Sequence, residues 1–213
     1  HFVSTRSIEV LVLQASPFLG IFLGGFSLEF SNAFQLLFVL LGSLALTAHI
    51  FVFNDWVELG SDSLDSRRAK QVFTQQGISD REVAHIVIAL LLIACVCFAV
   101  VSAVAMFLGA AIAILGFLYS YSSIFGKRTP IVGSINHLLG GSLHFLLGYT
   151  LFHTLDVNGL LLSLFFGLVF AGGHLNQEVR DYEGDLQNGI RTSAVVFGCR
   201  RTFLASMVIF TVA

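Results

Sequence analysis

Residues 83–126 contain no Asp, Glu, Lys or Arg, 44 positions in a row. A membrane span needs only about 20 apolar residues. The run therefore predicts two spans, with a turn within 102–109. Other charge-free runs cover 10–28, 30–54, 129–155 and 157–177, and a last one, 202–213, meets the chain end. Together they predict six complete transmembrane helices and the start of a seventh. None alternates with the two-residue period of barrel strands about 10 residues long. The first run lacks the small-residue cleavage site of a signal peptide. The expected fold is all-α, a polytopic membrane helical bundle forming a single domain over 1–213. Because the chain opens on His and stops inside an apolar run, it is read as a piece of a longer protein, truncated at its C-terminus.

Composition agrees. Hydrophobic residues make up 56% and charged residues 11%, against a usual charged share of about 25%. So few charges cannot cover a soluble fold, which excludes a soluble enzyme, a disordered chain and a secreted disulfide scaffold. The net charge of −2 offers no basic field for nucleic acid.

The charges that remain are sorted by side. Alternate connections carry Arg6; then Arg67, Arg68, Lys70 and Arg81; then Lys127 and Arg128; then Arg180, Arg191, Arg200 and Arg201, which is all 11 Lys and Arg. The opposite connections, around Glu29, Met106 and Asp156, carry none. The positive-inside rule places the basic side in the cytoplasm or its organellar equivalent. The expected location is a bacterial or archaeal cell membrane, or an organellar one. Connections 54–82, 126–130 and 176–201 hold nearly all the ionic chemistry.

Two of those connections carry one pattern. Asn54-Asp55-Trp56-Val57-Glu58-Leu59-Gly60-Ser61-Asp62 and Glu178-Val179-Arg180-Asp181-Tyr182-Glu183-Gly184-Asp185 both read acid-x-x-acid-x-x-x-acid. Arg68 and Arg191 each follow the last acid by six residues. On a helix, positions i, i+3 and i+7 lie within about 60° of one another. Each cluster thus sets three carboxylates on one stripe: Asp55, Glu58 and Asp62, then Glu178, Asp181 and Asp185. The repetition points to an internal duplication of a helical unit. Like charges so close repel and need compensation. Hard cations with oxygen ligands supply it, and Mg²⁺ prefers one or two carboxylates plus waters and substrate phosphates. Two facing stripes with Arg and Lys beside them predict a site for a diphosphate. The competing reading, acids merely solvated between spans, does not account for the shared spacing, side and flanking arginines.

With these residues in view, the chain resembles the UbiA superfamily of intramembrane prenyltransferases. Asn54-Asp55-x-x-Glu58-x-x-x-Asp62 is similar to that family's first Asp-rich motif, and Asp181-Tyr182-Glu183-Gly184-Asp185 to its second. The stretch from Arg180 through Gly189-Ile190-Arg191-Thr192 most resembles the quinone-biosynthesis branch. The resemblance implies about nine helices in the family, about seven of them here, as two related halves around a central cavity. It implies Mg²⁺-dependent transfer of an isoprenyl chain from its diphosphate to a lipophilic or aromatic acceptor, within membrane lipid. By position it makes Asn54, Asp55, Asp62, Asp181 and Asp185 the metal and diphosphate ligands, with turnover resting on Asp55 and Asp181. Glu58 stands where the family has Asp, and Arg67-Arg68-Ala69-Lys70 replaces its Arg-Pro.

Further candidates lie nearby. Tyr119 and Tyr121 end the fourth span, and their π faces suit a carbocation, although an interfacial tyrosine belt reads the same way. Lys127 and Arg128 follow and suit a diphosphate, at a looser spacing than the family's Tyr-x-x-x-Lys. His137 and His144, seven apart, suit a metal, an acceptor or a polar cavity wall. His49 and His174 each precede an acidic cluster. Gly20, Gly24, Gly140 and Gly141 suit close helix packing. Cys95, Cys97 and Cys199 lack zinc spacing. Within the fold, a terpene cyclase or another diphosphate-dependent transferase remains open. A transporter would place ionisable groups near the midplane, and here Asp, Glu, Lys and Arg avoid the spans' interiors.

Overall fold

The computed structural model describes residues 3–26, 29–58, 77–122 and 124–213. Every regular element among them is a helix: α1 (Val3–Leu13), α2 (Ala15–Leu23), α3 (Phe30–Val57), α4 (Asp80–Val101), α5 (Ala103–Tyr121), α6 (Val132–Tyr149), α7 (Val157–Arg180), α8 (Tyr182–Gln187), α9 (Ser193–Phe197) and α10 (Cys199–Val212). The all-α class predicted from the charge-free runs is the class found.

Four helices are long and apolar enough to cross a bilayer, Asn32–Val57, Asp80–Val101, Ala103–Tyr121 and Val157–Arg180, as an integral membrane protein requires. The other two complete runs are shorter or more polar. Ile8–Leu23 is a shorter apolar stretch, interrupted at Gln14 between α1 and α2. The 18-residue α6 carries Asn136, His137, Ser142 and His144. Asn136 donates to the Leu115 carbonyl at 3.1 Å and Ser142 to the Ser163 carbonyl at 2.9 Å, and the partners of the two histidines are described below.

The chain divides into two compact units, His1–Ile114 with His144–Leu155, and Leu115–Leu143 with Asp156–Ala213. In the first unit α3 packs along α4. Val52, Val83 and Val87 form a buried cluster there, with Phe53, Trp56, Ile86 and Leu90 against it. His49 Nδ1 donates to the carbonyl of Val87 at 2.9 Å, a bond between the two helices. The start of α4 is fixed by a capping box. Ser79 accepts from the Glu82 amide, and Glu82 accepts from the Ser79 amide, so two donors that the helix leaves orphaned are satisfied reciprocally.

The turn expected within 102–109 is a single residue. Ser102 is extended (φ −170°, ψ 160°) and its hydroxyl accepts from the Ala105 amide at 3.0 Å. Gly109 is helical instead, and its missing side chain has another use. Fully buried Phe98 lies against Gly42 of α3 and Gly109 of α5, and a Cβ at either glycine would collide with its ring. Gly20 and Gly24 of α2 lie against the backbone of α6 from Phe145 to Tyr149, and Gly148 lies on the Pro17 carbonyl. The close packing expected of Gly20-x-x-x-Gly24 is therefore present. Beside it, Ser43 donates to Gln14 Oε1 at 2.6 Å and lies 2.7 Å from His144 Nε2. The hydroxyl has one proton and gives it to Gln14, so His144 carries its proton on Nε2 and donates to Ser43. Gln14 Nε2 donates to Thr47 and to the Val10 carbonyl. Gln14, Ser43, Thr47 and His144 thus satisfy one another, as buried polar groups generally do, whereas the buried Ser16 hydroxyl has no hydrogen-bond partner.

In the second unit α10 packs on α7. Gly172 faces the Phe210 ring, and Ser206 donates to the Gly172 carbonyl at 2.9 Å. Gly141 lies against Phe170, whereas Gly140 has open space where a Cβ would go. The adjacent glycines therefore differ, and only Gly141 serves the expected close packing.

Candidate active site

The first acidic motif ends α3. Asn54 and Asp55 lie half-buried in its last turn, and Glu58 is buried at the C-cap, its amide donating to the Asn54 carbonyl at 3.1 Å. That last turn contains no basic residue. Carboxylates here sit at the negative end of the helix dipole, which costs roughly 0.3–1 kcal/mol each. A cation reverses that cost. Asp62, Arg67, Arg68 and Lys70 lie outside the described residues.

The second motif lies in the second unit, on a helical ladder that runs through the junction of α7 and α8. The Asp181 amide donates to the Gln177 carbonyl at 2.9 Å, and the Asp185 amide to the Asp181 carbonyl at 3.0 Å. Asp181 and Asp185 are therefore one turn apart on one face. Gly189 then takes a left-handed conformation (φ 65°). Its amide donates to the Leu186 carbonyl and the Ile190 amide to the Asp185 carbonyl, which is a Schellman ending. Three residues on, the Thr192 hydroxyl accepts from the Val195 amide and caps α9. Gly189-Ile190-Arg191-Thr192 is thus a stop followed by a start, with Arg191 exposed between them. Arg180 grips both carboxylate oxygens of Asp181, at 3.1 and 3.2 Å. The pair is open to solvent, so it is worth about 0–1 kcal/mol and yields readily to a stronger cation.

Glu178, the first acid of this stripe, is placed differently from its companions. Only 5% of it is exposed. Its Oε1 lies 3.7 Å from His174 Nδ1. Oε2 has no hydrogen-bond partner.

Tyr119 and Tyr121 are two residues apart, so they point to different sides of α5. Tyr121 is 70% exposed and stacks on Phe117, the position of an interfacial tyrosine. Tyr119 turns inward. Its hydroxyl lies 3.2 Å from His174 Nε2, and its ring meets His137 edge-on at 4.9 Å. His137 stacks on His174 at 4.0 Å and donates from Nδ1 to the Gly133 carbonyl. The Ser134 hydroxyl, 3.2 Å from His174 Nδ1, completes the group. His137 and His144 thus have separate partners and do not act as a pair.

Lys127 and Arg128 follow at the end of α5. The chain folds back there at Gly126, where a Cβ would collide with the Tyr119 and Ser122 carbonyls. The Lys127 amide donates to the Tyr119 carbonyl at 3.2 Å. Ile131, which leads into α6, has φ 70°, a strained value for a β-branched residue that costs about 1–3 kcal/mol. Its amide donates to the Ser193 hydroxyl at 3.1 Å. Ser134, Ser193 and Ile131 were not visible as site residues in the sequence. The signal for Ile131 is weak, a residue held between Pro130 and a helix start.

Among the described residues no group of three or more His, Cys, Asp or Glu side chains is gathered to hold a metal alone. Mg²⁺ does not ask for one, since it keeps waters and binds substrate phosphates beside one or two carboxylates. Asp181 and Asp185, one turn apart in the second unit, are oxygen donors of that kind, and the acids that end α3 are oxygen donors in the first.

Comparison with known proteins settles the lineage. The UbiA prenyltransferase family matches residues 16–213. The chain belongs to that family. Its structure is similar to that of a UbiA homolog from Archaeoglobus fulgidus bound to GPP and Mg²⁺, with a TM-score of 0.82 and 22% identity over 96% of this chain and 71% of that one. A structure of a UbiA homolog from the same organism bound to DMAPP and Mg²⁺ also gives 0.82, at 21% identity and the same coverage. The apo structure of a UbiA homolog from Aeropyrum pernix K1 gives 0.75 at 16% identity, over 95% of this chain and 75% of that one. At such identities these neighbours establish the fold. No curated protein matches the sequence.

Proposed function

We propose that this UbiA-family chain transfers an isoprenyl group from an allylic prenyl diphosphate to a lipophilic or aromatic acceptor of the quinone-precursor kind, in a Mg²⁺-dependent reaction on the cytoplasmic side of its membrane. The observation that carries the proposal is Asp181 and Asp185, one turn apart where α7 meets α8, in a chain that matches the family over 16–213. The UbiA homologs bound to GPP or DMAPP together with Mg²⁺ support both the donor class and the cation.

Asn54, Asp55, Asp62, Asp181 and Asp185 would hold the ion, with Glu58 the middle acid of the first stripe. When bound, Mg²⁺ supplies positive charge against the negative charge that builds on the departing diphosphate. Lys127 and Arg128 lend further positive charge, as do Arg67, Arg68, Lys70 and Arg191. Stabilising that leaving group is the largest contribution the protein makes. The bond from the allylic carbon to the diphosphate oxygen breaks, the acceptor bonds to the allylic carbon, and the acceptor gives up a proton. Tyr119, drawn inward by His174, presents an aromatic face suited to the allylic cation, while Tyr121 faces out. The apolar spans keep water from that cation.

The test uses purified protein in lipid nanodiscs with labelled farnesyl or geranylgeranyl diphosphate, with and without Mg²⁺ and an aromatic acceptor. Mg²⁺-dependent diphosphate release that requires the acceptor is expected. Hydrocarbon formed without the acceptor would make the protein a cyclase, and no Mg²⁺-dependent turnover of any allylic diphosphate would overturn both readings.

A further inference from the structure

The two histidines that stack in the second unit differ in what their nitrogens do. His174 has both engaged, Nε2 with the Tyr119 hydroxyl and Nδ1 with the Ser134 hydroxyl, each at 3.2 Å. His137 has one engaged. Its Nδ1 lies 2.9 Å from the Gly133 carbonyl, which can only accept. The proton of the neutral ring is therefore on Nδ1, and Nε2 holds a lone pair. Among the described residues that nitrogen has no hydrogen-bond partner.

Space lies beside it. Gly133, His137 and Gly140 fall at i, i+4 and i+7, one face of α6. A Cβ at Gly133 would meet the His174 ring, so that place is filled. At Gly140 the place is open, with no atom within 4 Å of a Cβ. A helical side chain covers the turn before its own Cα, so the opening lies over the turn of His137. Exposed Ile135 and Leu139 are each about 200° from His137 around the helix, on its opposite side. On α7, His174 precedes Asp181 by seven residues. That puts it on the same stripe, about 10 Å further into the helix.

We infer that Nε2 of His137 receives the hydroxyl of the prenyl acceptor, and that the open place at Gly140 takes part of the acceptor's ring. This rests on the transferase reading above and narrows its acceptor to molecules with an O–H group, of which a phenol is the aromatic kind. The tail of a diphosphate held at Asp181 and Asp185 runs into the apolar interior, past the turn where the histidines lie. A hydroxyl that leans its proton toward Nε2 leaves more electron density on its ring, where the allylic carbon bonds. The bonds made and broken are those given above, and His137 adds the hold on the hydroxyl. A metal between the two rings would need a nitrogen from each, and His174 has none to offer.

The full chain in nanodiscs is compared as wild type, His137→Phe, His137→Gln and Gly140→Leu, with β-naphthol and its methyl ether as probes. Saturable binding is measured above partition into empty nanodiscs, without diphosphate or Mg²⁺. One hydrogen bond corresponds to roughly a three- to tenfold change in affinity. Wild type is expected to prefer naphthol over the ether by about that factor. His137→Phe keeps a ring of similar shape and should bind the two alike. His137→Gln sets a carbonyl oxygen near the place of Nε2 and should keep the preference. Gly140→Leu fills the opening and should weaken both probes together. In wild type with isotope-labelled histidine nitrogens, naphthol should move the Nε2 resonance of His137, identified by its loss in either His137 variant, and the ether should leave it in place.

A His137→Phe protein that still prefers naphthol overturns the inference, as does a wild type without the preference. Loss of the preference in His137→Gln, or unchanged binding in Gly140→Leu, counts against it equally. Should His137→Phe or Gly140→Leu fail to fold, the resonance decides: an Nε2 signal indifferent to naphthol overturns the assignment. None of these readouts needs turnover. A wild type that holds naphthol at His137 yet leaves every allylic diphosphate intact counts against the transferase reading and leaves the hydroxyl site standing.

Discussion

The Tyr119 hydroxyl and Nε2 of His174 lie 3.2 Å apart, and that contact turns one of two neighbouring tyrosines inward. If the Tyr119 ring shields a cation, its loss should remove about 0.5–2 kcal/mol of transition-state stabilisation. Tyr119→Leu is then expected to lower kcat roughly 3- to 30-fold, whereas Tyr119→Phe, which keeps the ring, stays within about threefold. Tyr121→Leu, on the exposed side, should leave kcat unchanged. Single-turnover rates at saturating donor check this, and equal losses at both tyrosines would remove the distinction.

Asp55→Ala and Asp181→Ala should each abolish measurable turnover, a loss of about 10²–10³-fold or more for an electrostatic group at the leaving diphosphate. Their melting temperatures in detergent should match wild type, because neither acid holds the core. Arg180→Ala should change the rate little, since its exposed grip on Asp181 is worth about 0–1 kcal/mol. Near-normal turnover in either Asp variant would remove the metal-site assignment.

Chelation gives a simpler readout. Treatment with EDTA should stop diphosphate release, and Mg²⁺ should restore it. Thermal stability should change little on chelation alone, because the ion is expected to bind with the substrate phosphates and not in a cage of protein ligands.

Phe98 supplies a packing test. Gly109→Ala pushes a methyl group into its ring, and overpacking of that kind costs about 1–3 kcal/mol. Phe98→Leu in the same chain should recover part of that loss. The contrast is Gly140→Ala, which meets no atom and should stabilise α6 by up to about 1 kcal/mol through helix propensity. Unfolding in mixed micelles measures both, and a destabilised Gly140→Ala would contradict the packing described.

Legibility in the sequence followed the range of the forces involved. The spans could be read because bilayer burial acts on whole runs of residues: α4 and α5 emerge from residues 83–126 as expected. The second motif could be read because its spacing is local, and Asp181 and Asp185 fall one turn apart as i, i+4 requires. Features decided by contact across the fold could not be read. Glu178 has the spacing of a metal ligand, and its burial beside His174 could not be read from that spacing. Gly140 and Gly141 look alike in sequence, and only Gly141 meets Phe170. Gly109 looks like a turn residue and is a seat for Phe98, while the turn itself needs only Ser102.

That one-residue turn also bears on how the protein is made. α4 and α5 are joined by Ser102 alone, without a charged residue from Val83 to Gly126. No loop is long enough to rest on the far side while one helix waits for the other. A pair so joined is expected to enter the bilayer as one hairpin, and by the positive-inside rule Arg81 at the leading flank and Lys127 and Arg128 at the trailing one would set its direction. The cations assigned here to the diphosphate would then serve earlier, during synthesis, as the anchor that stays behind while the hairpin goes in.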